Sequence, residues 1–121
     1  MTLKILAVDD SQTIRDLLKL SLVDAGYIVR LAEDGREALE ALADFVPEAI
    51  ITDINMPRLD GFGLIEAVRR IDRFRATPIL VLTTECAPEL KAKARAAGAT
   101  GWIIKPFEAA KLVKALQMIA G

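Results

Sequence analysis

The chain has 121 residues, 53% of them hydrophobic, which suits one domain whose core needs no disulfide or metal staple. Its 16 basic and 17 acidic residues leave a formal net charge of −1, so it carries neither a nucleic-acid footprint nor a polybasic membrane patch. With no histidine and a single cysteine, Cys86, it excludes Ser-His-Asp triads, Cys-His pairs, His-based zinc sites and an internal disulfide. A reducing, cytoplasmic setting is the default for such a chain.

The N-terminal stretch contains only the apolar run "ILAV", too short for a signal peptide or a membrane span. That run belongs to a first expected strand, "LKILAV" (3–8), which ends in the adjacent carboxylates Asp9 and Asp10. A helix with the stripe Ile14, Leu17, Leu18 and Leu22 follows and stops at Gly26. The second strand is "YIVRLA" (27–32), and Asp34 precedes a helix with Ala38, Leu39 and Leu42 on one side. The third strand, "EAIIT" (48–52), ends in Asp53 before the turn formers of "NMPRLDG". A third helix carries Leu64, Ala67, Val68 and Ile71. The fourth strand, "PILVL" (78–82), runs into Thr83; Pro88 opens and Gly98 closes a helix with Leu90, Ala94 and Ala97. The fifth strand, "GWIIK" (101–105), ends in Lys105, and a last helix presents Leu112, Ala115, Leu116 and Ile119.

The first, third and fourth strands are nearly continuous in apolar residues, as parallel strands buried on both faces are. The order is (βα) five times, so right-handed crossovers give a doubly wound, five-stranded parallel α/β sheet. Binding sites in such sheets lie beyond the carboxyl ends of the strands. There the sequence gathers Asp9, Asp10, Asp53, Thr83 and Lys105.

Bare carboxylates on one edge repel one another, by about 4 kcal/mol for a pair near 4 Å at an effective dielectric of 20. A hard divalent cation reverses the sign. Oxygen donors without His or Cys point to Mg²⁺ or Mn²⁺. A carboxylate, an amine and a hydroxyl beside such a cation suit phosphoryl transfer. Asp53 is the nucleophile candidate, since it stands between the "DD" pair and the Lys/Thr side. Singly, each residue has a plainer explanation: Asp10 or Ser11 as a helix cap, Asp53 as a turn residue, Lys105 as a solvated strand end, Thr83 as a local cap. Their joint occurrence at one edge favours the site. Trp102, alternating with Ile103, is expected in the core or on an exposed face near it.

The stretches "VDDS" (8–11), "AEDG" (32–35), "DINMPRLDG" (53–61), "LTTE" (82–85) and "GWIIKPF" (101–107) together resemble the receiver domain of two-component response regulators, of the single-domain chemotaxis type. The resemblance spans essentially the whole chain, 1–121. It implies a flavodoxin-like fold with strand order 2-1-3-4-5 and no output domain after Gly121. It also implies that Asp53 accepts phosphate from a histidine kinase. Asp10, Asp53 and the Asn55 carbonyl would hold Mg²⁺, with Asp9 acting through water. Lys105 and Thr83 would contact the phosphoryl group, and the Lys105–Pro106 peptide would be cis. Thr83 and Trp102 would form the switch, while Asn55 and Glu85 would tune a comparatively quick self-dephosphorylation. The chain would be a monomeric signalling protein rather than a metabolic enzyme. Its target, a flagellar motor switch protein first, would bind the face of helix four, strand five and helix five. A phosphorelay shuttle is the alternative. A small magnesium-dependent phosphatase with Asp9 as nucleophile is disfavoured, because Ser11 breaks the required D-x-D.

Overall fold

A computed structural model describes residues 3–120; Met1, Thr2 and Gly121, at the ends of the expected 1–121 domain, lie outside it. Five strands alternate with five helices: β1 (Lys4–Val8), α1 (Gln12–Asp24), β2 (Ile28–Ala32), α2 (Gly35–Ala41), β3 (Ala49–Thr52), α3 (Gly61–Arg70), β4 (Ile79–Thr83), α4 (Pro88–Ala97), β5 (Gly101–Ile104) and α5 (Ala109–Ala120). A single 3-10 turn, Asp72–Phe74, follows α3. The sheet is wholly parallel, in the order β2-β1-β3-β4-β5.

Alternation along the central strands feeds two cores. Leu6, Val8, Ile50, Ile79 and Val81 pack with α2, α3 and α4 on one face. Ile5, Ala7, Ala49, Ile51, Leu80 and Leu82 pack with Leu18 and Leu22 of α1 and Leu112 and Leu116 of α5 on the other. Each fully buried leucine or isoleucine contributes about 1.5–3 kcal/mol of transfer free energy. This two-sided burial explains why the central strands run apolar and buried without a break, whereas edge strand β2 is exposed at alternate residues, Ile28 and Arg30. Among the described residues, no helix is long and apolar enough to cross a membrane.

The helix stripes are narrower than the periodicity suggests. Leu17, expected in the α1 stripe, is 47% exposed, and Ile71 is 38% exposed and caps α3 rather than extending it. Leu18 and Leu22 fill the sheet side of α1, leaving Leu17 turned toward solvent. Phe62 and Ile65 supply the α3 contacts that Ile71 does not.

Two polar fixtures hold the loops. Arg69 donates to the carbonyl oxygens of Gly98, Phe74 and Thr77, tying α3 to the end of α4 and the approach to β4. Gly98, at φ +120°, ends α4 against that side chain, where a Cβ would lie 2.8 Å from Arg69.

The other fixture is Asp34. It caps α2 by accepting from the Glu37 N–H at 2.9 Å. It also takes a two-pronged contact from Arg58, with Nε at 2.7 Å and Nη2 at 3.1 Å. Arg58 sits at φ +65°, a left-handed conformation that costs a non-glycine residue energy. The pair offsets that cost and pins the β3–α3 loop to α2. The Arg58 hydrogen bonds hold the Asp34 carboxyl below its ordinary 3.8, against the opposing effect of burial. A depressed folded-state value stabilises above the unfolded value and ceases to do so as pH falls through the folded one. Wild type is therefore expected to be more stable than Asp34→Asn at pH 7. The gap should close below the normal carboxylate range, as read by urea unfolding of both proteins at stepped pH.

Candidate functional site

The chain reverses its direction of winding between β1 and β3, which opens a crevice at the carboxyl ends of these two strands. Asp9 and Asp10 follow β1 directly, and Asp53 follows β3. One carboxylate oxygen from each lies within 4.8 Å of the others. Lys105, one residue past β5, reaches back across β4 into this group. Its Nζ lies 2.6 Å from Asp9 Oδ2 and 2.9 Å from Asp53 Oδ2. Sequence reasoning placed Lys105 at the edge but gave no sign that it bridges two carboxylates. The Lys105–Pro106 peptide is cis.

The three carboxylates are not equivalent. Asp9 is 1% exposed and spends both oxygens inside the protein, Oδ1 on the Ser11 N–H at 2.9 Å and Oδ2 on Lys105. Asp53 accepts from the Ile54 N–H on Oδ1 at 2.6 Å and from Lys105 on Oδ2, with its side chain 11% exposed. Asp10 faces solvent. Burial pushes the Asp9 carboxyl above its ordinary value, with Lys105 and Ser11 pulling the other way. Burial pulls the Lys105 ammonium down, but the hydrogen bonds and charges of Asp9 and Asp53 outweigh it and raise the group. Lys105 therefore stays charged.

Local sequence builds this arrangement. Ser11, not Asp10, caps α1: its hydroxyl accepts from the Ile14 N–H at 3.3 Å. Asp10 is thereby left for another role. Arg15, absent from the sequence reading, donates Nη1 to the Asp9 carbonyl at 2.7 Å and fixes the β1–α1 loop. Its position four residues after the cap, one turn into α1, was the available signal. Gly61 opens α3 so close to Asp53 that a Cβ there would lie 2.2 Å from the Asp53 carbonyl oxygen. Only glycine permits that approach.

Thr83 is fully buried, and its Oγ1 accepts from the Glu85 N–H at 3.3 Å. Asn55 is exposed and donates Nδ2 to Glu85 Oε1 at 3.0 Å, linking the β3–α3 and β4–α4 loops. Trp102 does not lie on an open face. It is half-buried against the core under α4, and its Nε1 donates to the Glu85 carbonyl at 3.2 Å. Ala94, Ala99 and Gly101 line a small pocket together with it.

The trio fits a hard divalent cation: its donors are all oxygen, they converge, and one carboxylate is exposed and not used as a cap. At a tenfold excess over Kd, magnesium should add about 1.4 kcal/mol, a rise in melting temperature of about 5 °C for a domain of this size. Asp10→Ala should abolish the rise and, without metal, be neutral or stabilising, because it relieves repulsion without removing a cap. Differential scanning calorimetry of both proteins with and without Mg²⁺ checks both arms.

Residues 5–117 match the response regulator receiver domain family. The chemotaxis protein CheY4 of Vibrio cholerae has a similar structure, with a TM-score of 0.95 and 48% identity over 98% of this chain and 99% of that one. The chemotaxis protein CheY1 of Helicobacter pylori is 40% identical over 121 residues, 98% of each chain. The response regulator MprA of Mycolicibacterium vanbaalenii is 39% identical over 98% of this chain, which spans only 51% of that relative's length.

Proposed function

The chain belongs to the response regulator receiver domain family, and from that premise we propose that it is a phosphoacceptor switch, phosphorylated on Asp53 by a histidine kinase and acting in chemotaxis by phosphorylation-dependent protein binding. The observation that carries this reading is the single ammonium of Lys105 held between Asp9 and Asp53 at the topological switch point.

Asp53 is favoured over Asp9 as nucleophile because its side chain is 11% exposed against 1%. A carboxylate oxygen of Asp53 attacks phosphorus, the P–N bond of the donor's phosphohistidine breaks, and imidazole leaves with the electron pair. Lys105, already beside Asp53 Oδ2, neutralises charge on the transferred group. The Thr83 hydroxyl donates to one phosphoryl oxygen. Receiver domains bind Mg²⁺ at an acidic cluster of this kind; here Asp10, Asp53 and the Asn55 carbonyl would hold it, with Asp9 behind. The ion supplies positive charge that stabilises the transferring phosphoryl oxygens.

The switch follows from the hydrogen bonds already present. When the Thr83 hydroxyl turns to the phosphoryl group, the Glu85 N–H loses its acceptor. The β4–α4 loop then shifts, and the Glu85 carbonyl that holds the Trp102 indole shifts with it. The target face is formed by α4, β5 and α5, where a separate protein such as a flagellar motor switch protein would bind a monomer in the cytoplasm.

Phosphorylation is therefore expected to change Trp102 fluorescence, the response of a two-state element biased by a new charge. Thr83→Ala should still take the phosphoryl group but lose the phosphorylation-dependent part of the signal. Titration of the two proteins with acetyl phosphate at saturating Mg²⁺ reads this directly. An undiminished signal in Thr83→Ala sinks the coupling.

A further inference from the structure

Glu85 carries three hydrogen bonds at once. Its N–H donates to Thr83 Oγ1, its carbonyl accepts from Trp102 Nε1, and its carboxylate accepts from Asn55 Nδ2. The first two hold the backbone of one loop residue from opposite sides, and once the Thr83 hydroxyl turns to the phosphoryl group the Trp102 bond is the one that remains. From that anchored backbone the carboxylate reaches Asn55, and their hydrogen bond sets where the side chain points. We propose that the Trp102 indole N–H is a positioning group for the site, orienting Asn55 through Glu85 and so setting how fast the acyl phosphate on Asp53 is hydrolysed.

The chemistry of the Asn55–Glu85 contact gives it direction. An ionised carboxylate only accepts hydrogen bonds. It therefore holds the carboxamide by its NH₂ end and leaves Asn55 Oδ1 as a free acceptor on the opposite side. Asn55 stands two residues beyond Asp53 and is exposed to solvent. In that orientation Oδ1 accepts from a water approaching the phosphoryl group. The water oxygen bonds to phosphorus, and the bond from Asp53 to phosphorus breaks with its electron pair returning to the carboxylate. The released proton passes to solvent, and orthophosphate departs. An Asn55 free to rotate loses this alignment, and positioning of a reactant carries much of the rate.

Trp102 is suited to the role because an indole N–H donates and never accepts. Its bond to a carbonyl cannot be exchanged for one to a neighbouring N–H. A phenylalanine ring would fill the space beside Ala94, Ala99 and Gly101 but offer Glu85 nothing. Trp102 acts on the phosphoryl group only through Glu85 and Asn55, so it is a positioning residue and not a catalytic one.

This inference rests on Asp53 as phosphoacceptor. Wild type, Trp102→Phe, Glu85→Ala and the double variant are phosphorylated with acetyl phosphate and Mg²⁺. The donor is then removed and loss of the phosphoryl group is followed by intact mass. The lifetime should lengthen at least about threefold in Trp102→Phe, within the range of coupling for residues in one hydrogen-bond network. In the Glu85→Ala background Trp102→Phe should add nothing, since the path to Asn55 is already cut. A benzothiophene side chain at position 102, isosteric with indole but lacking the N–H, should reproduce the Trp102→Phe result without disturbing packing. Equal lengthening in both backgrounds would show that Trp102 acts by packing and overturns the inference. So does a wild-type lifetime in the benzothiophene protein. If wild type itself takes no phosphoryl group, the Asp53 reading falls and this inference falls with it. If wild type takes the group and the lifetimes do not differ, this inference alone falls.

Discussion

Replacing Lys105 with methionine is expected to destabilise the metal-free protein by about 3–5 kcal/mol, the cost of breaking a buried ion pair from one side. The Lys105 side chain is 10% exposed and serves Asp9 and Asp53 together. Methionine has similar length and no charge, so packing changes little while two carboxylates lose their shared counter-charge. A solvated strand-end lysine would cost less than about 1 kcal/mol on removal. The two explanations of Lys105 thus differ by several-fold in one denaturation experiment. Magnesium should recover more stability in the variant than in wild type. In wild type a cation must compete with the ammonium for Asp9 and Asp53; in Lys105→Met it meets the carboxylates alone. A smaller magnesium effect in the variant would mean that Lys105 assists cation binding rather than opposing it.

The sequence showed the sheet clearly because its central strands are buried on both faces. Runs such as "ILAV" and "ILVL" have no polar break for that reason. Edge strand β2 was recognisable as the short apolar run "YIVRLA", broken only by Arg30. The helix stripes were less sharp. Leu17 and Ile71 fit a 3.6-residue period, but the period does not say how wide a stripe the sheet covers. The ends of β1, β3, β4 and β5 brought Asp9, Asp10, Asp53, Thr83 and Lys105 to one edge, as topology requires.

What stayed hidden was carried by backbone atoms and by conformation. Ser11 and Asp10 were equivalent cap candidates until the Ser11 hydroxyl was placed on the Ile14 N–H. The left-handed residue of "NMPRLDG" is Arg58, a type that gives no such signal, and its partner Asp34 lies 24 residues away. Trp102 was ambiguous because strand alternation gives a side of the sheet and not a depth. The small residues that line a pocket with the indole lie on α4 and β5 and around the turn between them. The resemblance implies for Glu85 only a tuning of dephosphorylation with Asn55, yet its N–H and carbonyl join Thr83 to Trp102.

Asp53→Asn is expected to abolish phosphorylation outright, because a carboxamide is a poor nucleophile and removes one charge from the acidic trio. The decisive measurement is the identity of the modified carboxylate in wild type. The protein is incubated with Mg²⁺ and acetyl phosphate, the acyl phosphate is trapped by borohydride reduction, and the peptides are sequenced. Reduction at Asp53 alone, absent without Mg²⁺, is the expected result. Reduction at Asp9, or phosphorylation that survives in Asp53→Asn, would contradict Asp53 as the phosphoacceptor.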